Sequence, residues 1–289
     1  RIVDGQQRLT TIWLIMLCLN KKTPFKLEYE RPACLDQIEK SNVLFDLELL
    51  KKTYQAYPQY CFAAYQNSQI IGVISAYAFD THLYINVLNV VDDGKDILKR
   101  LVALLLKNIS GENVLILIEE KFAKELEELS FVTYCDMYRF MHSGQAVAFN
   151  FSNSTAKHVS GEHYDEVSRK LDKKAFYSNR ETYLKQDCVF SNSLKLSTDY
   201  GFLHSYVVNK RYIKISPWIM ANEAFLDAEK LLRGVLYYRG LKKIFGFAPK
   251  NEKEIVDLYQ SYKFEITGDF KLMYLNEKPN IRLENLYGI

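Results

Sequence analysis

Apolar residues recur with two different periods along residues 46–140, and each period predicts one type of secondary structure. The helical period covers residues 46–57, where Pro58 ends the helix, and residues 96–108, where the apolar face is broad. A shorter helix is predicted at 121–129. Runs rich in β-branched and aromatic residues predict strands at 60–65, 69–77, 83–91, 114–118 and 131–140.

The same order of elements returns in the second half of the chain. Helices are predicted at 162–184, 222–238 and 252–262. Strands are predicted at 187–191, 202–208, 211–215, 244–248 and 270–275. In both halves a helix, a buried strand, a second helix and a closing strand follow one another, and Met141 corresponds in this order to Met273. The internal repeat predicts two copies of one α+β unit.

The composition excludes several classes of protein. Hydrophobic residues make up 48% and charged residues 25% of the chain, as in ordinary globular proteins. No apolar run approaches the ~18 residues that span a bilayer, so we expect no membrane partner. A net charge of +3 is too small to predict a nucleic-acid partner. Five scattered cysteines without a Cys-x-x-Cys pair indicate reduced thiols in the cytoplasm rather than disulfides or a metal site.

The first residues carry a separate signal. Asp4-Gly-Gln-Gln-Arg8, followed by Leu-Thr-Thr and an apolar helix that Pro24 stops, resembles the signature of the DUF262 family, ParB-like nucleases and NTPases of restriction systems. In that family the Asp and Arg serve phosphate chemistry, which maps onto Asp4 and Arg8. Because the resemblance covers only the start of the chain, we expect this segment to pack as a helix without a catalytic role.

A second resemblance bears more directly on function. Ile215-Ser-Pro-Trp-Ile219, then Ala228 and Leu231-Leu232, is similar to the Gly-Pro-Trp…Ala-x-x-Leu-Leu arrangement of tandem GNAT proteins related to the YitH group. GNAT proteins are acyl-CoA-dependent N-acyltransferases. The resemblance implies an α+β fold with two tandem GNAT-like domains, each a mixed, mostly antiparallel sheet flanked by helices. These domains are expected at 25–145 and 146–289, after the helical segment 1–24.

The resemblance also implies acetyl-CoA, or another acyl-CoA, as the cofactor. Its pyrophosphate is expected at a helix N-terminus, where unpaired backbone N–H groups and the positive end of the helix dipole favour an anion. Ser216 stands where the family has a glycine, and Glu223 and Leu226 depart from its phosphate-loop pattern. The expected cofactor-binding residues are Ser216, Trp218, Ile219, Glu223, Ala224, Phe225, Leu226, Asp227, Ala228 and Asn251.

The equivalent positions of the first copy are less suited to a phosphate. They fall on Asp93, Asp96 and Leu98, and acidic side chains oppose a pyrophosphate. Leu126 stands there at the position that Tyr259 has in the second copy. We therefore predict that the cofactor binds the second copy and that the first copy supports the fold or shapes the acceptor site.

Two side chains are candidates for catalysis. Leu258-Tyr259-x-x-x-Lys263-Phe264 resembles the family's Leu-Tyr-x-x-x-Gly-Phe, whose Tyr lies near the CoA sulfur and can protonate the departing thiolate. His204 is a candidate base because its ordinary pKa lies near neutrality, and Glu223 is a weaker one. The alternative interpretations are Tyr259 as an amphipathic packing residue and His204 as a structural residue, the more common role of a lone histidine on a strand.

These observations predict an N-acyltransferase that moves an acetyl or similar group from CoA to a primary amine by direct attack in a ternary complex. The acceptor would be a small molecule or a peptide. The alternatives are a non-catalytic GNAT-like binding module and the remnant of a DUF262 restriction-type nuclease. The sequence does not indicate the acceptor, the acyl chain or the oligomeric state.

Overall fold

A computed structural model describes Ile38, Lys40 and the ranges 42–66, 69–91, 94–109, 111–145, 157–158, 162–185, 193–239 and 241–289. The DUF262-like segment 1–24, the predicted strand 187–191 and Asp93 lie outside the described residues.

In the first half, three α-helices and five strands have both of their ends among the described residues. Asp46 caps the first helix, since its Oδ1 accepts a hydrogen bond from the Leu49 amide at 2.9 Å. The elements are α1 (Leu47–Ala56), β1 (Cys61–Gln66), β2 (Gln69–Ala78), β3 (Leu83–Val90), α2 (Lys95–Lys107), β4 (Val114–Glu119), α3 (Ala123–Glu127) and β5 (Val132–His142). They follow the order that the hydrophobic pattern predicts.

The second half repeats this order after a helical insertion. Its elements are β6 (Lys157–His158), α4 (Glu162–Phe176), α5 (Glu181–Lys185), β7 (Leu194–Thr198), β8 (Gly201–Val207), β9 (Tyr212–Met220), α6 (Phe225–Arg239), β10 (Lys243–Pro249), α7 (Lys253–Ser261), β11 (Phe264–Leu275) and β12 (Leu286–Gly288). The helix predicted at 162–184 is divided in two, and Tyr177 at the break has the left-handed φ of +48° that no helix continues. The pattern missed β6, β7 and β12.

The strands described form one sheet, in the order β1-β2-β3-β4-β11-β5-β10-β9-β8-β7-β6, with β12 paired to β9. Most neighbours are antiparallel, and β3–β4 and β9–β10 are the parallel pairs. Without exchange, the closing strand of each repeat would pair with the buried strand of its own repeat. Instead β11 pairs with β4, and β5 pairs with β10. The two halves therefore exchange their closing strands, and the sheet continues across residue 145.

Helices cover both faces of this sheet. On one face α2 and α3 bury one apolar cluster and α6 and α7 bury another, and each cluster receives a side chain from the exchanged strand of the other half. Phe140 of β5 enters the second-half cluster, and Met273 of β11 enters the first-half cluster. On the opposite face α1, α4 and α5 cover one cluster to which both halves contribute, and we call this the shared face. The division into domains at 145/146 stays a prediction.

Candidate functional site

Each half contains a pair of parallel strands that begin together and then part. β3 and β4 pair only from Leu83 with Val114 to Ile85 with Ile116. Beyond this point β3 stays paired with β2, and β4 stays paired with β11, so residues 86–90 and 117–119 diverge. We call the gap between them the first opening. The free edge of β3 offers backbone N–H and C=O groups to a ligand there.

The second half has the same geometry. β9 and β10 pair from Tyr212 with Lys243 to Lys214 with Phe245 and then part. β9 remains paired with β8 and β10 with β5, so residues 215–220 and 246–249 enclose what we call the second opening. An extra residue of β9 falls at Ser216 and Pro217, where the pairing with β8 shifts register.

The first opening leads into a cavity of about 180 Å³. The cavity runs from β3 and β4 across the shared face to β10 and β9 of the second half. Its aromatic wall is formed by Tyr84, Phe122, Phe245, Phe247 and Phe270. A ligand in this cavity would therefore contact both halves of the chain.

A buried carboxylate, that of Asp46, lines the cavity. Asp46 accepts a hydrogen bond from the Tyr206 hydroxyl at 2.5 Å, and its Oδ2 lies 4.0 Å from Nζ of Lys214. Burial raises the pKa of the Asp46 carboxyl, against the opposite influence of Lys214 and Tyr206. Burial likewise lowers the pKa of Lys214, which Asp46 raises. Desolvation thus brings the pKa values of the two groups closer together than those of an exposed ion pair.

Two further cations lie along the cavity. Lys121 is exposed after the end of β4, where its Nζ lies 3.0 Å from Oε2 of Glu119. Arg139 of β5 donates to the Thr267 carbonyl at 2.8 Å and lies over the ring of Phe270. Together with Lys214 they give the cavity three cations against the carboxylates of Asp46 and Glu119. This excess favours an anionic ligand.

The chain's own last strand fills the second opening. Leu286 of β12 pairs with Ile219 and Gly288 pairs with Trp218, both antiparallel to β9. On the other side the Ile289 amide donates to the Phe247 carbonyl of β10 at 3.2 Å. β12 therefore bridges the two diverging strands.

The position of β12 determines what surrounds Tyr259, the predicted proton donor. Tyr259 is 0% exposed, and its hydroxyl donates to the Tyr287 carbonyl at 2.8 Å. Its ring stacks on Phe140 with centroids 4.4 Å apart and packs edge-on against Trp218 at 5.6 Å. Burial raises its pKa far above the ordinary value of a phenol. Tyr259 is a core residue in this structure, and its role as a general acid stays a prediction.

The predicted cofactor-binding residues of the second half divide by exposure. Four are buried in the core, namely Trp218, Ile219, Ala224 and Ala228. Three are partly exposed, namely Ser216, Phe225 and Asp227, and three are exposed, namely Glu223, Leu226 and Asn251. Glu223, with a φ of +60°, precedes α6, and Asp227 in its first turn pairs with Lys230 at 3.3 Å. The structure joins Trp218, Ala224, Ala228 and Tyr259 in one apolar cluster, and cofactor binding by the set stays a prediction.

His204 lies on β8 and is almost fully buried. Its Nδ1 lies 2.9 Å from the Ser216 carbonyl, which only accepts hydrogen bonds, so this nitrogen carries the proton. Nε2 then accepts from the Ser193 hydroxyl at 3.1 Å. Burial lowers the pKa of His204 to about 3. Both ring nitrogens are thus engaged within the protein, and a catalytic role stays a prediction.

In the first half, the positions that correspond to the predicted phosphate loop and to Tyr259 differ in exposure. Asp96 is exposed, whereas Leu98 and Leu126 are buried beneath the helices of the first half. Lys95 beside Asp96 forms an ion pair with Glu125 at 3.1 Å. Lys95 is thus engaged by a carboxylate of α3, and the poor fit of this helix start to a phosphate stays a prediction.

The sequence analysis missed the residues of the cavity itself. Lys214 carried a usable signal, because the alternation in Tyr212-Ile213-Lys214-Ile215 places it on the opposite face of β9 from the two isoleucines. Asp46 carried only the signal of a helix cap. No pattern of neighbouring residues in the sequence indicates that Lys214 or Asp46 lies near Arg139 of β5.

Another cavity, of about 290 Å³, lies at the other end of the β3–β4 pair. Its lining includes Val114 and Leu115, which are still paired with β3. It therefore lacks the free strand edge of the first opening.

In the described ranges no cluster of His, Cys, Asp and Glu side chains is placed to hold a metal ion. None of the described helices has the length and apolar character needed to cross a membrane.

Comparison with known proteins relates this architecture to a fold. No protein-family model and no curated protein matches the chain. A candidate acetyltransferase from Pyrococcus horikoshii superposes with a TM-score of 0.63 at 17% identity, covering 93% of this chain and 98% of that one. A GCN5-related N-acetyltransferase from Sphaerobacter thermophilus gives 0.56 at 14% identity, covering 88% and 92%. A tandem GNAT protein from the clavulanic acid biosynthesis pathway gives 0.52 at 9% identity, covering 94% and 95%.

These similarities concern the fold, since the sequences are remote. The superpositions extend over most of both chains and include a protein with two GNAT units. The prediction of an α+β fold with a mostly antiparallel sheet is confirmed. The chain has the fold of the GCN5-related N-acetyltransferases.

Proposed function

We propose that this chain is an N-acyltransferase that takes an acyl group from acyl-CoA bound in the first opening and transfers it to a primary amine. The observation that carries the proposal is the contrast between the openings. Both have the parting parallel strands of the fold, but the first leads into a cavity and β12 fills the second. This differs from the sequence-based assignment of the cofactor to the second half, which is the alternative that the experiment tests.

The residues of the first opening suit an acyl-CoA. The unpaired edge of β3 beyond Ile85 can bond the amides of the pantetheine arm, as a neighbouring strand would. Lys121, which is exposed, provides positive charge for phosphates that lie outside the cavity. A cavity of about 180 Å³ accommodates the acyl end and the thioester rather than the whole cofactor.

The chemistry requires an amine nitrogen to attack the thioester carbon. A C–N bond forms, the C–S bond breaks, and CoA leaves as a thiolate. The nitrogen loses a proton as it becomes an amide, and the thiolate takes up one proton, so the step balances. An ammonium must lose a proton before it attacks, and Asp46 is a carboxylate in this cavity whose pKa is raised toward that task. Its hydrogen bonds from Tyr206 and the Leu49 amide hold the carboxylate in place.

Isothermal titration calorimetry with acetyl-CoA tests the proposal. We expect one molecule bound per chain. Leu117→Trp places a bulky ring on β4 at the wall of the first opening, so binding should weaken at least tenfold while the far-UV circular dichroism is unchanged. Release of free thiol with a panel of small amines and lysine peptides then reports transfer.

Three results would contradict the proposal or part of it. Absence of acetyl-CoA binding would favour a module that does not use the cofactor. If folded Leu117→Trp binds acetyl-CoA as tightly as the wild type, the acetyl-CoA site would be assigned to the second half instead. Binding without thiol release by any amine would favour a non-catalytic binding module.

A further inference from the structure

We infer that the second opening is a groove that binds an extended peptide strand, and that residues 286–289 are its ligand in cis. A strand added to the edge of a sheet is held by backbone hydrogen bonds, while pockets for its side chains select the sequence. The second opening provides both kinds of contact.

The backbone contacts come from both walls of the groove. β12 lies antiparallel to β9, with Leu286 opposite Ile219 and Gly288 opposite Trp218. The Ile289 amide donates to the Phe247 carbonyl on the other wall. The floor contributes the Tyr259 hydroxyl, which donates to the Tyr287 carbonyl. The strand thus bonds to β9, β10 and α7 at once.

The side chains of the strand are selected by size. Leu286, Tyr287 and Ile289 are buried, and the ring of Tyr287 lies 5.2 Å from that of Trp218. A Cβ on Gly288 would lie 3.2 Å from Cβ of Trp218 and from a methyl group of Ile215. A larger side chain at this position therefore requires Trp218 or Ile215 to shift, by a few tenths of an ångström for the first carbon alone. The groove prefers an extended peptide with large apolar residues around a glycine.

The first opening serves as an internal comparison. It is formed by strands that part in the same way, yet its cavity is lined by three cations and two carboxylates. The walls of the second opening are apolar. Trp218 and Tyr259 belong to the cluster beneath α6 and α7, and Ile219 and Phe247 belong to the cluster of the shared face. The two openings of one fold thus differ in chemistry, and the second suits a peptide strand better than a phosphorylated cofactor.

Occupancy of the groove is linked to the cavity through Phe247. Its carbonyl accepts the hydrogen bond from Ile289, and its ring forms part of the cavity wall. Leu286 and Ile289 also join the apolar cluster of the shared face. A strand that leaves the groove would release this wall, so strand binding and ligand binding in the cavity should favour each other. This linkage between groove and cavity rests on the proposed function.

The test uses the complete chain with a protease recognition sequence inserted after the exposed Lys278 and cut after folding. Native mass spectrometry follows exchange of the cut segment with a labelled synthetic peptide of residues 279–289. We expect one labelled peptide per chain, and at least tenfold weaker competition by the same peptide carrying Gly288→Val. The inference would be overturned if the segment never exchanges, or if it leaves and does not rebind. Equal competition by the two peptides would also overturn it.

Hydrogen exchange on the unmodified chain provides a second measurement that needs no variant. Amides of residues 286–289 should exchange at least tenfold faster than those of β9 and β10, since a ligand strand opens locally. Equal protection would overturn the inference.

In the cut chain, the affinity for acetyl-CoA should fall about tenfold when the peptide is removed and recover when the peptide is added back. Because peptide exchange is measured without acetyl-CoA, failure of the uncut chain to bind acetyl-CoA would count against the proposed function alone.

Discussion

The hydroxyl of Tyr259 donates a hydrogen bond to the carbonyl oxygen of Tyr287, with 2.8 Å between the two atoms. This bond ties α7 to β12, and the stacking of the Tyr259 ring on Phe140 ties both to the exchanged strand β5. The phenol therefore connects three elements that are far apart in the sequence. Burial raises the pKa of this phenol far above its ordinary value, so it remains a hydrogen-bond donor in alkaline solution as well.

Tyr259→Phe should lower stability and leave catalysis nearly unchanged. The ring and its stacking remain, but the Tyr287 carbonyl loses its buried donor, which costs about 1–2 kcal/mol. Thiol release should stay within about twofold of the wild type, since the proposed acyl-CoA site is the first opening. Urea unfolding and a thiol assay check both expectations. A general-acid role would instead appear as a drop in turnover on the order of 10²-fold with unchanged stability.

Gly246→Ala should destabilise the protein through the same hydroxyl. A Cβ at this position would lie 2.9 Å from the Tyr259 oxygen, so the ring or β10 must move, at about 1–3 kcal/mol. In Tyr259→Phe the obstructing atom is absent. The double variant should therefore lose about 1 kcal/mol less than the sum of the single losses in a double-mutant cycle. Additive losses would show that the strain is relieved elsewhere.

Lys121→Glu and Lys124→Glu form a matched pair for the first opening. Both lysines are exposed and the charge change is the same, but only Lys121 lines the cavity. Lys121→Glu should weaken acetyl-CoA binding about tenfold in calorimetry at low salt, equivalent to about 1.4 kcal/mol. The effect should shrink as salt screens the charges. Equal effects of both variants would mean that the phosphates do not lie near Lys121.

His204 should make the fold sensitive to acid. Its pKa is lowered from 6.5 to about 3 by burial, so between these values the unfolded chain binds the proton and the folded one does not. Stability should therefore fall as pH drops from 6.5 toward 3, by up to about 1.4 kcal/mol per pH unit from this residue. Above pH 6.5 His204 contributes no slope.

Urea unfolding over this pH range tests the prediction with two variants. His204→Gln should reduce the loss of unfolding free energy over the whole range from pH 6.5 to pH 3, the acid limb of the stability curve. His82→Gln should flatten only the part above pH 4, because burial lowers the pKa of His82 to about 4. An acid limb that is unchanged in His204→Gln would show that the imidazole is not neutral in the folded protein.

The placement of the cavity residues illustrates the limit of local patterns. The spacing of Leu98, Leu101 and Leu105 predicts a helix with one buried face, and α2 has that face. The cap at Asp46 is equally local, yet its position 4.0 Å from Lys214 depends on how the shared face closes. Residues of a site that spans two halves carry no mutual signal in the sequence.

The sequence by itself determined the helices and most strands of both repeats, because hydrophobic period and turn residues act within a few positions. It also determined the α+β class through the repeated order of elements. Only the tertiary structure decided that β5 and β11 change places and that β12 enters the second opening. Backbone hydrogen bonds join any two strands alike, so the choice of partner depends on which long-range arrangement buries Phe140, Met273 and Tyr287 best.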